Sequence, residues 1–275
     1  MKRWCLAVLI AGAAHAAAGL AVDDAKFLYQ AGQYDQAEVR FQRLSAGSPM
    51  AAEPLYYLGK IAVHRGDYAA AIGLLERAVA LEPARSDHHL WLGNSYAWAA
   101  AAASLGDRPA LGRKCLAAYR KALELDPGNI PAHFSLMNFY RHVPALLGGG
   151  RDRAEAEAEA IRRCDAAQGA YARAVLCIDG KNYAQAFANL TALLRKNPSD
   201  YAANCALGGL ALASGTRLDE GETAFRRCLE LRPGENDESH GFVRRGLQKI
   251  AEARTGLPGP RTALARGEET AAPAR

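Results

Sequence analysis

Leu55-Tyr56-Tyr57-Leu58-Gly59-Lys60-Ile61-Ala62 opens a stretch that runs through Gly66-Asp67-Tyr68, Ala71, Leu75 and Ala78 to Pro83. Leu55, Leu58, Gly59 and Ala62 stand at i, i+3, i+4 and i+7, one face of a helix. Tyr68, Ala71, Ile72, Leu75, Ala78 and Val79 form a second such face. Arg65-Gly66-Asp67 between them leaves room only for a tight turn, and Gly66 can adopt the left-handed conformation that ends a helix. Gly59 and Ala71 are small where two antiparallel helices would cross. Pro83 cannot continue the second helix, and Ser86 offers an N-cap for the next.

The same pattern lies 34 residues earlier. Ala25, Leu28, Gly32, Tyr34, Ala37, Phe41, Leu44 and Pro49 fall under Gly59, Ala62, Gly66, Tyr68, Ala71, Leu75, Ala78 and Pro83. A period of 34 with these residue types resembles the tetratricopeptide repeat family. The resemblance implies an all-α fold, an α-α superhelix of about six helical hairpins with a C-terminal capping helix.

Carried along the chain, the pattern gives units over 18–51 and 52–85. A third, 86–129, starts on register at Leu92, Gly93 and Tyr96. Its second helix resumes 44 residues after that of the second unit, so ten residues are inserted. Loop entropy tolerates this, because each doubling of a loop costs only about 0.6 kcal/mol. A divergent fourth unit, 130–168, contains Pro144 and Gly148-Gly149-Gly150. From Leu90 to Leu194 the chain resembles secreted bacterial tetratricopeptide proteins of unsettled function. Units five and six cover 169–199 and 200–235. Gly221 in the sixth stands where Ala71 would, at some expected cost in helix stability. Residues 239–255 then carry a single stripe, Val243, Gly246, Leu247 and Ile250, backed by polar residues as an end helix requires. Residues 256–275 hold three prolines and no apolar stripe and read as a disordered tail.

Residues 1–16 differ in kind. Lys2-Arg3 precedes an apolar run, and Ala14-His15-Ala16 is a small-x-small cleavage pattern, so a secretory signal peptide and periplasmic or secreted location are expected. The run is too short for a permanent span. Removing it would take the formal charge from +5 to +3 and the cysteines from six to five. Cys115, Cys164, Cys177, Cys205 and Cys228 remain, none spaced as Cys-x-x-Cys. One or two disulfides are open to them, and sequence cannot pair them. Cys115 and Cys228 fall at small core positions of the repeat.

The charge is small and evenly spread, which argues against a nucleic-acid partner. Pairs such as Arg162-Arg163 alternate with acids as on solvated helix faces. The histidines, His88-His89, His133 and His142 among them, lack the convergent spacing of a zinc site. No Gly-x-Ser-x-Gly elbow occurs, and the triple glycine lacks the Lys-Ser or Lys-Thr of a phosphate loop. A non-catalytic chain without metal or cofactor is expected.

In the resembling family, first helices line a concave groove. That implies a binding stripe of Tyr56, Lys60, Val63 and His64 in the second unit. Asn94 and Trp98 continue it in the third, Phe134 and Asn138 in the fourth, and Tyr171 in the fifth. Aromatic heads with polar residues one turn on suit a protein or peptide partner. The carboxylate-clamp set of some family members is incomplete here, with Val22 and Lys26 in the first unit. The alternative role is a structural or assembly subunit of a cell-envelope complex, and an enzyme without a recognisable motif comes third.

Overall fold

The computed structural model describes residues 20–234 and 237–255. The expected signal peptide (1–16) and tail (256–275) lie outside the described residues. The chain divides into two compact units, one ending at Cys164 and one beginning at Asp165.

The first unit holds four helical hairpins. They pair α1 (20–30) with α2 (Tyr34–Gly47), α3 (Ala52–Arg65) with α4 (Tyr68–Leu81), α5 (Ser86–Ala102) with α6 (Arg108–Leu125), and α7 (Ile130–His142) with α8 (Arg151–Cys164). The second unit holds α9 (Ala166–Asp179) with α10 (Tyr183–Lys196), α11 (Tyr201–Ser214) with α12 (Leu218–Glu230), and the end helix α13 (His240–Thr255). The fold is all-α, built of repeated hairpins. Within a unit each helix touches its successor, and first helices also meet the next first helix, α3 on α5 and α5 on α7.

The small residues explain how closely the hairpins pack. A Cβ on Gly59 would stand 2.6 Å from Leu75 Cγ, one on Gly93 2.5 Å from the Tyr119 ring, and one on Gly208 2.5 Å from the Phe225 ring. Each large partner is buried, so it fills the room the missing side chain leaves. Gly221 does the same where α12 passes Ala211. Its cost in helix propensity is thus offset by close approach.

Gly66 has φ +79° and closes α3, with its N–H donating to Val63 O at 3.0 Å. Asp67 then caps α4 by accepting from Ala70 N at 3.0 Å. Ser86 does not act as the expected cap. It lies inside the first turn of α5, where its hydroxyl donates to Ala122 O of α6 and accepts from Asn129 Nδ2, both at 2.8 Å. The hydroxyl thus bridges elements where a cap would have served its own helix.

Every junction between consecutive hairpins inside a unit has the same build. Residues 48–51, 82–85, 126–129 and 197–200 each separate two helices, with Pro49, Pro83, Pro127 and Pro198 in second place. In each, the fourth N–H bonds back to the first carbonyl, as Ala51 N does to Ser48 O at 2.9 Å. Three junctions add a side-chain tie six residues after the proline. His89 Nε2 lies 2.9 Å from Pro83 O, His133 Nε2 3.0 Å from Pro127 O, and Asn204 Nδ2 3.1 Å from Pro198 O. Turns within hairpins vary instead, from 66–67 to the long 143–150 segment with its 3-10 turn Ala145–Leu147.

Beneath α13, Val243 and Ile250 are fully buried in a cluster with Tyr201, Cys205, Phe225 and Cys228. Arg254 near the end of α13 pairs with Asp219 and Glu222 of α12. The helix is therefore anchored at both its apolar face and its last turn.

Candidate functional site

The first helices of the first unit bring together an aromatic cluster around one lysine. Lys60, on α3, is only 4% exposed. Its Nζ stands 4.6 Å from the Trp91 ring, 4.8 Å from Tyr29, 5.0 Å from Tyr56 and 5.1 Å from Tyr57. Lysine is rarely buried this far. Four electron-rich ring faces stabilise the ammonium where water cannot, at about 2 kcal/mol or more for a desolvated contact.

The rings support one another. Tyr57 stacks on Phe41 at 4.8 Å and meets Tyr29 edge-on at 5.2 Å. His64, one turn beyond Lys60, stacks on Tyr34 at 4.7 Å, and its Nε2 lies 3.0 Å from the Tyr29 hydroxyl. Tyr56 leans on His88 at 4.9 Å.

Tyr56 and Tyr57 also form one wall of a cleft of about 240 Å³, completed by Lys26, Glu53, Glu82, Arg85, Asp87 and His88. Lys26 is ion-paired with Glu53, and this bond holds its ammonium above the ordinary lysine range. His88 is 2% exposed, and burial pushes its imidazole below the usual value, with Arg85 adding to the effect. Its Nδ1 is buried without a partner. The cleft thus offers tyrosine faces, a neutral imidazole and a rim of both charges.

The expected stripe is only partly brought together. Tyr56, Lys60 and His64 share the cluster, but Lys60 is corrected as an exposed groove residue, because the rings enclose its ammonium. Asn94 is half-buried, and its Oδ1 accepts from the Tyr119 hydroxyl at 2.9 Å and from Ser135 Oγ at 3.2 Å. It ties α5 to α6 and α7. Trp98 is 52% exposed and stacks on Tyr68 of α4 at 6.4 Å. Phe134 is half-buried, and Asn138 is exposed and accepts from Arg141 Nη1 at 2.6 Å. Tyr171 belongs to the second unit, half-buried against its core.

Sequence reasoning missed Tyr29, Tyr57, Trp91 and His88. One signal was present, since Trp91 follows Tyr57 by the 34-residue period. Among the described residues, no three His, Cys, Asp or Glu side chains converge as a metal site requires. Among them also, no helix is long and apolar enough to cross a membrane.

The tetratricopeptide repeat family model matches residues 22–88 and 178–236. Over these two stretches the chain is built of tetratricopeptide repeats. No curated protein matches it. Of solved structures, a thermophilic tetratricopeptide repeat protein of Thermus thermophilus is 23% identical, over 71% of this chain and 98% of that one, with a TM-score of 0.61. A tetratricopeptide repeat protein of Parabacteroides merdae is 14% identical over 90% and 96%, with a TM-score of 0.56. A chain of the APC/C hetero-tetramer Cut9–Hcn1 is 14% identical over 85% of this chain and 42% of that one, with a TM-score of 0.59. These likenesses are of tetratricopeptide fold.

Proposed function

We propose that this tetratricopeptide repeat protein is a non-catalytic scaffold of the bacterial periplasm that binds a protein or peptide through the first-helix side of its first unit. The observation that carries this is the cleft beside Tyr56. Its aromatic wall is held rigid by the cluster around Lys60, and its rim offers Lys26, Glu53, Glu82, Arg85 and Asp87 within the space of one side chain. Preorganised aromatics with convergent polar groups are what binding surfaces use as anchors. The rings already pack on one another and on Lys60, an arrangement that reduces the ordering entropy opposing binding.

The test is capture of partners from crosslinked cell envelope by the wild type and by Tyr56→Ala and Glu82→Lys. Glu82 is exposed at the rim, so its reversal leaves the ring packing intact. Both variants are expected to lose capture well beyond tenfold, and Arg163→Ala, on α8, to retain it. Unchanged capture by a folded Glu82→Lys protein would remove the cleft from the binding face and favour an assembly subunit.

Periplasmic location rests on Lys2-Arg3, the apolar run and Ala14-His15-Ala16. The mature N-terminus is expected at Ala17 or within two residues of it. Mass spectrometry that finds Met1 to Arg3 retained in a cytosolic fraction would refute it.

A further inference from the structure

We propose that Cys205 of α11 and Cys228 of α12 are a dithiol pair that a disulfide oxidant, small molecule or protein, converts to an intrachain disulfide. The bond would staple the last hairpin beneath the end helix. The two sulfurs stand 3.2 Å apart. Closing that gap to a bond of about 2.05 Å takes a movement of only about 1.2 Å. Both side chains are buried, so each sulfur is held towards the other by the packing of the hairpin.

The other cysteines contrast with them. Cys115 is buried deep in the first unit, where burial raises its thiol to about 12. Cys164 is exposed and Cys177 half-buried. Among the described residues, Cys205 with Cys228 is the sulfur–sulfur contact the structure records.

The chemistry gives the two sulfurs different parts. Either sulfur can donate in the contact between them, and that contact holds the Cys205 thiol below its ordinary value and the Cys228 thiol above it. Cys205 is therefore the first nucleophile. Its thiolate attacks one sulfur of the oxidant and expels the other as a thiolate, leaving a mixed disulfide. Cys228 then loses its proton and displaces the second oxidant sulfur, and the Cys205–Cys228 bond closes. Two protons and two electrons leave the protein, and one disulfide becomes two thiols. Val243 and Ile250 of α13 cover this cluster. Exchange therefore takes place before α13 docks or when it frays, which a terminal helix does more readily than the core.

The full-length protein is incubated in glutathione disulfide, denatured with an alkylating agent and digested without reduction. The expected result is a linked pair of the tryptic peptides carrying Cys205 and Cys228, cleaved by dithiothreitol. The oxidised protein should melt roughly 10 °C above the reduced one. Cys115→Ala should keep this shift, and Cys205→Ala and Cys228→Ala should each abolish it. Full alkylation of both cysteines after oxidation, or linkage of either to Cys164 or Cys177, would overturn the proposal. The peptide map uses the unaltered chain, so it decides the matter even if a variant fails to fold.

Discussion

His133 Nδ1 lies 2.6 Å from Glu157 Oε2, which ties α7 to α8, while its Nε2 reaches the Pro127 carbonyl at 3.0 Å. Burial opposes the charged imidazole, and Arg163 adds to that. The bonds to Glu157 and Pro127 outweigh both, so the pKa sits above the ordinary value. A histidine raised by folding stabilises fully below its unfolded pKa of about 6.5 and loses that contribution as pH rises through the folded value. Glu157→Gln should therefore melt well below the wild type at about pH 5.5, by the roughly 1.5–3 kcal/mol usual for a charged hydrogen bond. The gap should narrow by about pH 8.5. Thermal melts across that range check it, and a gap independent of pH would show that the pair is not ionised in the fold.

Lys60 allows a test of the ring cluster. Lys60→Met keeps the stem and removes the charge, so it should lose about 1–2 kcal/mol of cation–π stabilisation. Lys60→Glu would set a buried anion against negative ring faces and should cost about 3 kcal/mol or more. Urea melts compare the two. An unchanged melt for Lys60→Met would mean that the stem and not the ammonium is what the rings hold.

The glycines make a sharper pair. Gly93→Ala and Gly208→Ala each push a methyl to 2.5 Å from a buried ring, and overpacking of this kind costs about 1–3 kcal/mol. Gly73 lies on the exposed side of α4, where an added Cβ would meet nothing within 4 Å. Gly73→Ala should stabilise by about 0.5–1 kcal/mol through helix propensity. Chemical denaturation of the three variants gives opposite signs, and a destabilising Gly73→Ala would contradict the packing described.

Removing residues 239–253 takes away Val243 and Ile250 and uncovers Phe225 and Cys228. At about 25 cal/mol per Å² of apolar surface, losing one helix face should cost several kcal/mol and promote aggregation. Calorimetry and light scattering on the truncated chain check this. An unchanged melt would show that α13 does not seal the second unit.

The hairpin fold was legible because small and large positions recur at a fixed period. Gly59 with Leu75 and Gly93 with Tyr119 obey one local rule, and a local rule is written in sequence spacing. The aromatic cluster was not legible in the same way. Tyr29, Tyr57 and Trp91 come from three hairpins, and their convergence on Lys60 depends on how successive first helices lie against each other. A lysine one turn after Tyr56 reads as polar surface until the rings that enclose it are placed. Asn94 carries a structural duty that its spacing does not announce, since its amide oxygen meets Tyr119 and Ser135 from two neighbouring helices.

The junctions at 48–51, 82–85, 126–129 and 197–200 keep one length. The chain's extra residues sit at the other ends of hairpins, in the lengthened α5 and α6 with the turn 103–107 between them and in the 143–150 segment. Grafting follows the same asymmetry. A reporter domain or epitope spliced at Leu105–Gly106 should leave the hairpins in step. The same insert at Ala84–Arg85 would part Pro83 from His89 and put every later hairpin of the first unit out of phase.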